Sequence, residues 1–291
     1  MTLPEAVATL PCWHGTPSGE RLSGGLSNEI WKVTDDAGTH VVRLGRDYPF
    51  HHVDRAREVM TARAAHAAGF GPEVRYATPG VMVTAFIEAR TWEAEDLRAN
   101  PERVARLLSD FHSQMAAGIS GAAFLFWPFH VVRDYARTLR GTRHESVTPP
   151  LLALSDEMER AQVPLPIVFG HHDLLPANFL DDTHRIWLID YEYAGFGTAL
   201  FDLAGAAANA EMPPDATEAL LTTYFASRPD PALFRAFDAM QVAALLRETL
   251  WAYVSDLNLS APGVDYLAYA AENRARLDAA LSAYRNRWGT E

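Results

Sequence analysis

The apolar residues of this 291-residue chain change their period once, near residue 88, and that change limits the folds open to it. Ahead of it, Asn28 to Thr34 and Thr39 to Leu44 are short β-prone runs split by the turn cluster Asp35-Asp36-Ala37-Gly38. Asp54 to Ala68 then carries apolar side chains at Ala56, Val59, Met60, Ala64 and Ala67 with Gly69 beyond, which is the spacing and stop of a helix. Two further runs, Glu73 to Ala77 and Val81 to Ile87, flank Pro79-Gly80. The predicted order is strand, strand, helix, strand, strand.

Past the boundary the period is helical. Asn100-Pro101 reads as an N-cap followed by proline in the first turn, and Val104, Leu107, Leu108, Phe111 and Met115 form a stripe that ends near Gly118. Further helices are expected over 131–139, 149–161, 215–226, 231–257 and 264–284, with isolated β-type runs at Ile167 to Phe169 and Arg185 to Ile189. The fold class is therefore α+β. No internal repeat or low-complexity linker marks a boundary, so the division into residues 1–88 and 89–291 rests on the period alone.

Charge and composition remove several functions. With 25 basic and 37 acidic side chains the net charge is −12, which opposes binding to nucleic acid or to an anionic membrane surface. Residues 89–291 carry most of it, 17 basic against 27 acidic groups, and so favour a cationic ligand. The single cysteine, Cys12, excludes a disulfide framework and a CxxC metal site, and fits a reducing compartment. Met1 to Pro11 has no basic residue ahead of its apolar stretch, and no apolar run reaches membrane-spanning length. A cytoplasmic protein is expected. Among the basic residues only Lys32 is a lysine, and its neighbours Glu29-Ile30-Trp31 and Val33 are not those of a P-loop, which also removes the usual Schiff-base enzymes. Gly118-Ile119-Ser120-Gly121-Ala122 is not a nucleophile elbow, and no His-Glu-x-x-His is present.

The densest polar cluster is Phe169-Gly170-His171-His172-Asp173-Leu174-Leu175-Pro176-Ala177-Asn178, followed by Leu188-Ile189-Asp190-Tyr191-Glu192. Each group lies just beyond a short strand, where a rigid scaffold can hold a loop over a cleft. Phosphoryl transfer needs a carboxylate to orient a hydroxyl nucleophile and oxygen ligands for Mg²⁺, and Asp-x₄-Asn followed by a strand-borne Asp supplies that set.

His171-x-Asp173-x₄-Asn178 and Ile189-Asp190-Tyr191-Glu192-Tyr193 resemble the catalytic and metal motifs of the aminoglycoside phosphotransferase and choline kinase superfamily. The resemblance runs from Gly24-Gly25-Leu26-Ser27-Asn28 through Phe201-Asp202-Leu203-Ala204 to the last helices, and implies a two-lobed protein-kinase-like fold: a nucleotide-binding lobe over 1–88 and a catalytic, substrate-binding lobe over 89–291. It implies ATP and Mg²⁺ as cofactors, Asp173 as the base, Asn178 and Asp190 as metal ligands, and His171 and Asp202 as supports of the catalytic loop. His172 stands where the family commonly has glycine or asparagine. Gly24, Gly25, Ser27 and Asn28 would cover the phosphates. Arg43 matches the strand position at which kinases place a lysine or arginine, with Glu58 on the next helix as its partner. Thr84, Phe86 and Ile87 match the hinge that holds the adenine, while Lys32, one strand too early for Arg43's role, is expected to be exposed.

The acceptor is read from the late helices. Glu248 and Trp251, spaced i to i+3, share a face, and an indole beside a carboxylate suits a quaternary ammonium. The Arg-Glu-x-x-Trp run with Asp265-Tyr266 and Tyr269-Ala270 resembles bacterial choline kinases, which adds Tyr253 and Tyr266 to the expected pocket, with Glu192 as a further carboxylate for an ammonium. Where many of them carry glutamate this chain has Asn209, with Glu211 two residues on. The expected activity is phosphorylation of a small cationic alcohol, choline first. Ethanolamine, an aminoglycoside or another hydroxylated amine are alternatives, and a silent nucleotide-binding regulator is a second one.

Overall fold

The computed structural model describes residues 3–22, 28–121, 124–261 and 263–289. A short helix, α1 (Glu5–Ala8), precedes an antiparallel sheet of β1 (Ser18–Leu22), β2 (Glu29–Asp35), β3 (Gly38–Leu44), β4 (Val74–Thr78) and β5 (Val81–Ala85), in the order β1-β2-β3-β5-β4. Period-2 alternation sets its two faces. Trp31, Val33, Val42 and Val83 close one face into a small core with Val7. The registers put Ile30, Arg43 and Met82 in one row of the opposite face and Lys32, Val41 and Thr84 in the next. The β2–β3 turn is pinned by Asp35, whose carboxylate accepts from the amides of Ala37 (2.9 Å) and Gly38 (3.1 Å).

Helix α2 (Arg55–Ala67) is capped by Asp54, which accepts from the Arg57 amide at 2.9 Å. Its small buried residues Ala62, Ala64 and Ala65 belong to the large core of the helical part, as do Tyr48, Val53 and Phe70. Packing thus crosses the point where the period changes. The remaining helices are α3 (Ala94–Ala99), α4 (Pro101–Gly118), α5 (Pro128–Leu139), α6 (Thr148–Arg160), α7 (Ala199–Ala210), α8 (Pro214–Tyr224), α9 (Pro231–Asn258) and α10 (Tyr266–Trp288). Two small sheets are inserted among them. β6 (Arg90–Thr91), β8 (Phe179–Asp181) and β9 (Ile186–Leu188) form one, and β7 (Ile167–Gly170) pairs with β10 (Gly195–Thr198) in the other. Helix α9 is the central post, packed by α5, α7 and α10.

The strands and helices anticipated from periodicity are present within a few residues of their expected limits. Helix α7 was not anticipated: ten of its twelve residues are buried, so it has no polar face and no 3.6-residue signature. Among the described residues no helix is long and apolar enough to cross a membrane.

Candidate active site

The loop that carries Asp173 leaves β7 at Gly170 and is fastened by one carboxylate. Asp202, in the first turn of α7, accepts from the amides of His171 (2.8 Å) and His172 (2.7 Å) and from His112 Nε2 (2.8 Å), while His112 Nδ1 meets the Tyr224 hydroxyl at 2.7 Å. Burial acts to raise the Asp202 carboxyl, but the His112 hydrogen bond and the surrounding imidazoles hold it well below the usual carboxylate range. His172 takes a left-handed φ of 63°, and its ring stacks on Phe126 with centroids 4.4 Å apart. Glycine makes room for that ring, since a Cβ on Gly170 would lie 2.4 Å and one on Gly197 2.9 Å from His172 Nε2.

His171 laces the loop to the strand behind it. Its Nε2 lies 2.9 Å from the Ile189 carbonyl, and the Asp173 amide donates to its Nδ1 at 3.3 Å. A carbonyl can only accept, so Nε2 carries the proton and Nδ1 the lone pair. Burial lowers the His171 pKa and keeps this neutral tautomer. The Ile189 amide in turn donates to the Asn178 carbonyl at 3.1 Å, and Asn178 Nδ2 donates to the Asp173 carbonyl at 2.7 Å. Asp173, Asn178 and Asp190 are thereby held on one lattice of hydrogen bonds.

Asp173 is pushed well above the usual carboxylate range by burial and by the charge of Asp190, and Asp190 is pushed up to about 7 by burial and by Glu192. Asp190 Oδ1 is buried with no hydrogen-bond partner among the described residues. A buried carboxylate oxygen without a hydrogen-bond partner, among other carboxylates, fits a hard divalent cation. No group of three or more His, Cys, Asp or Glu forms a metal cage among the described residues, so a cation at Asn178 and Asp190 would complete its shell with phosphate oxygens and water.

On the sheet side, Arg43 Nη1 contacts Glu58 Oε1, the strand–helix pair expected from the sequence, and lies 3.5 Å from Asp190 Oδ1. A second arginine, Arg55, joins them: it donates at 2.7 Å to Glu58 Oε2, to Glu192 Oε2 and to Asn28 Oδ1. Asn28 Nδ2 donates to Glu192 Oε2 at 3.2 Å. Glu192, expected to meet the acceptor, is instead engaged in this cluster. Gly24, Gly25 and Ser27 lie outside the described residues. Thr84 is buried in the Arg43 face of the sheet, Phe86 and Ile87 follow β5 half-buried, and the Phe86 amide is taken by the Thr39 carbonyl at 3.1 Å. Lys32, expected to be exposed, is half-buried, with Nζ 4.1 Å above the Phe86 ring centroid.

A cleft opens beside Asp173 between α7 and α9, lined by His172, Asn209, Arg247 and Glu248. Glu248 receives Arg247 Nη1 (2.7 Å) and the Tyr269 hydroxyl (2.7 Å). Trp251 is buried, stacks on His51 at 5.0 Å, donates from Nε1 to the Tyr193 hydroxyl at 2.9 Å, and meets Tyr266 and Tyr269 edge-on. Burial holds the His51 imidazole well below its usual pKa, so a neutral ring covers that indole face. Tyr253 is elsewhere, against His144 at 5.0 Å. Asn209 Nδ2 donates to the Leu174 carbonyl of the Asp173 loop at 3.2 Å. Glu211 caps α7 with φ 49°, exposed, 3.7 Å from Arg276. The place between loop and cleft thus belongs to Asn209.

The model of the phosphotransferase enzyme family matches residues 18–246, which include every part of the lattice around Asp173. The chain belongs to this family. A probable ethanolamine kinase of Arabidopsis thaliana is 28% identical over 290 residues, covering 87% of this chain and 76% of its own. The solved choline/ethanolamine kinase family protein from Mesorhizobium loti superposes with a TM-score of 0.77 at 29% identity, over 94% of this chain and 92% of the other. The choline kinase LicA from Streptococcus pneumoniae shares the fold, with a TM-score of 0.72 at 19% identity over 91% and 95%. The chain is an ATP-dependent small-molecule kinase with the two-lobed fold its sequence implies.

Within this phosphotransferase, Asp173, Asn178, Asp190, His171 and Asp202 are brought together on one side, and Arg43, Glu58 and Asn28 on the other. Trp251, Tyr266 and Glu248 form a third group, from which Tyr253 is absent. Positions i and i+2 of a helix face apart, so Trp251 and Tyr253 cannot share a site on α9. Sequence reading missed His112 and Arg55, and gave no role to Arg247 and Tyr269, which lie within the pattern it quoted. The 3.6-residue stripe carried a signal for one of them: His112 directly follows Phe111 on the buried side of α4.

Proposed function

We propose that this kinase transfers the γ-phosphate of ATP to the hydroxyl of a small cationic amino alcohol, with Asp173 orienting that hydroxyl and accepting its proton. Residues 1–88 supply the nucleotide side and residues 89–291 the acceptor side. Asn178 and Asp190 would hold Mg²⁺, which supplies charge neutralisation on the phosphates. Arg43 meets the phosphates from the sheet. Asn178 holds the Asp173 loop in place through the 2.7 Å bond to its carbonyl. Positioning and electrostatics account for the catalysis.

The observation that carries the acceptor class is the placement of Glu248 in the wall of the cleft that also contains Asp173 and Asn209. A primary ammonium has three donors to offer such a wall, and a trimethylammonium has none. Ethanolamine is therefore the acceptor we favour, its ammonium competing for the two Glu248 oxygens that Arg247 and Tyr269 now occupy. Choline, the expectation from the Arg-Glu-x-x-Trp pattern, is the second reading, favoured by the Trp251, Tyr266 and Tyr269 rings grouped behind Glu248. It needs an indole face, and one face of Trp251 is already stacked on His51.

A panel of ethanolamine, choline and an aminoglycoside, each with ATP and Mg²⁺, tests this. The expected result is kcat/KM highest for ethanolamine, lower for choline and absent for the aminoglycoside. A higher value for choline reverses the order, and turnover of neither amino alcohol removes the class.

A further inference from the structure

Most polar groups in the wall of the cleft beside Asp173 are already engaged. Each oxygen of Glu248 takes a donor, one from Arg247 Nη1 and one from the Tyr269 hydroxyl. Asp202 is occupied by His112 and by the amides of His171 and His172. His172 brings Nδ1 within 3.2 Å of the Tyr193 carbonyl and turns Nε2 toward Gly170 and Gly197. Asn209, half-buried on α7, differs. A carbonyl can only accept, so the amide must present Nδ2 to Leu174, and its Oδ1 takes no hydrogen bond among the described residues and is not enclosed by them. Beside Asp173 itself, Asn209 Oδ1 is the side-chain acceptor that this wall leaves open.

The cavity there has a volume of about 20 Å³, room for one water-sized group. A primary ammonium has that size, and a trimethylammonium exceeds it by its methyl carbons. Gly205, one turn ahead of Asn209 on α7, keeps the space, since a Cβ there would meet no atom within 4 Å. Glycine inside a helix is less favourable than alanine, and no neighbour forbids a side chain at Gly205, so what its bareness preserves is the cavity. With Asp202 committed to the loop, the carboxylates of Asp173 and Glu248 face the single guanidinium of Arg247, and one further monocation balances them. We propose that Asn209 selects the acceptor: its Oδ1 receives an N–H of a primary ammonium seated in this cavity, while its Nδ2 holds the Leu174 carbonyl, one residue from Asp173. One amide thereby joins amine recognition to alignment of the proposed base. The assignment rests on the amino-alcohol kinase reading above and names the residue by which that site tells one amine from another.

Ethanolamine and its N-methyl, N,N-dimethyl and trimethyl (choline) forms keep the hydroxyl and lose N–H donors one at a time. Their kcat and KM are measured with saturating Mg·ATP in the parent, Asn209→Ala and Asn209→Asp, with melting temperature as the folding control. Asn209→Ala should raise the KM for ethanolamine about tenfold and that for choline by less than about twofold, and lower kcat for both through loss of the Leu174 bond. Asn209→Asp keeps an oxygen for the ammonium but presents no donor to Leu174. Its KM for ethanolamine should return to within about threefold of the parent while kcat stays as low as in Asn209→Ala. A purely structural role would change ethanolamine and choline by the same factor, and that result, or no recovery of KM in Asn209→Asp, overturns the proposal. Gly205→Ala should raise both the melting temperature and the KM for ethanolamine. An unchanged KM there puts the ammonium outside this cavity and also overturns it. A parent that turns over none of the four amines overturns the acceptor class itself, and the proposal with it. A parent that prefers choline, yet loses ethanolamine selectively in Asn209→Ala, reverses the order of acceptors given above and supports the role of Asn209.

Discussion

His112 and Asp202 meet at 2.8 Å across the α4–α7 interface, and through that contact an early helix of the helical part holds the loop that carries Asp173. Asp202 has its carboxyl depressed in the folded state. The stability it contributes is complete above its unfolded pKa of about 3.9 and is lost as pH falls toward the folded value. Urea denaturation as a function of pH should show stability falling below about pH 4, with a shallower acid limb in Asp202→Asn. At neutral pH Asp202→Asn should cost about 3 kcal/mol, because one oxygen loses its charge-assisted donors while the surrounding N–H groups stay buried.

Replacing Asp173 with Asn keeps the shape of the loop and removes the carboxylate proposed as proton acceptor. Turnover should fall by about 10²- to 10⁴-fold. Mg·ATP affinity should stay near that of the parent if Asp173 acts on the acceptor as proposed. Single-turnover rates and calorimetry on one preparation check both, and near-normal turnover would remove Asp173 as the base.

At the acceptor end, Glu248→Gln should raise the KM for ethanolamine about tenfold or more and leave the KM for ATP little changed. Trp251→Leu keeps apolar volume and removes the ring quadrupole, so a cation–π role predicts a selective loss for choline of about 0.5–2 kcal/mol in kcat/KM. A uniform loss with a lowered melting temperature identifies Trp251 as packing. Tyr253→Leu should change neither acceptor by more than about twofold, since its ring lies against His144.

Gly197→Ala tests the space under the catalytic loop. The new methyl would sit 2.6 Å from the Phe126 carbonyl and 2.9 Å from His172 Nε2, so the ring or the β10 backbone must shift. The expected cost is about 1–3 kcal/mol of stability, accompanied by reduced turnover through displacement of Asp173. Thermal melting with parallel rate measurements reads both effects, and an unchanged protein would contradict the tight packing around His172.

Helices α2 and α4 were legible because each presents one face to a core and one to water, so hydrophobic period reports them directly; the sheet was legible from its short β-prone runs between turn clusters, and α9 from the length of its helical run. Asp173, Asn178 and Asp190 were legible because short local motifs carry them. Helix α7 was hidden by uniform burial. Arg55 was hidden for a different reason: its value depends on Asn28 and Glu192, the latter 137 positions away, and no local pattern encodes a contact at that separation. Glu192 looked available for the acceptor because a sequence motif shows which carboxylates are present but not which guanidinium already holds them.

Lys32, half-buried over the Phe86 ring, is the sole side-chain amine in the sequence. It lies on the same sheet face as Arg43, two rungs of the ladder apart in register from the pair Ile30–Arg43. An acylating reagent therefore has one internal address in this kinase, on β2 beside the Phe86 ring that follows β5. Its acylation rate, followed by mass spectrometry on a single peptide, becomes a built-in reporter of whether an added nucleotide shields the Phe86 side of the sheet, with no engineered tag and no competing lysine to subtract.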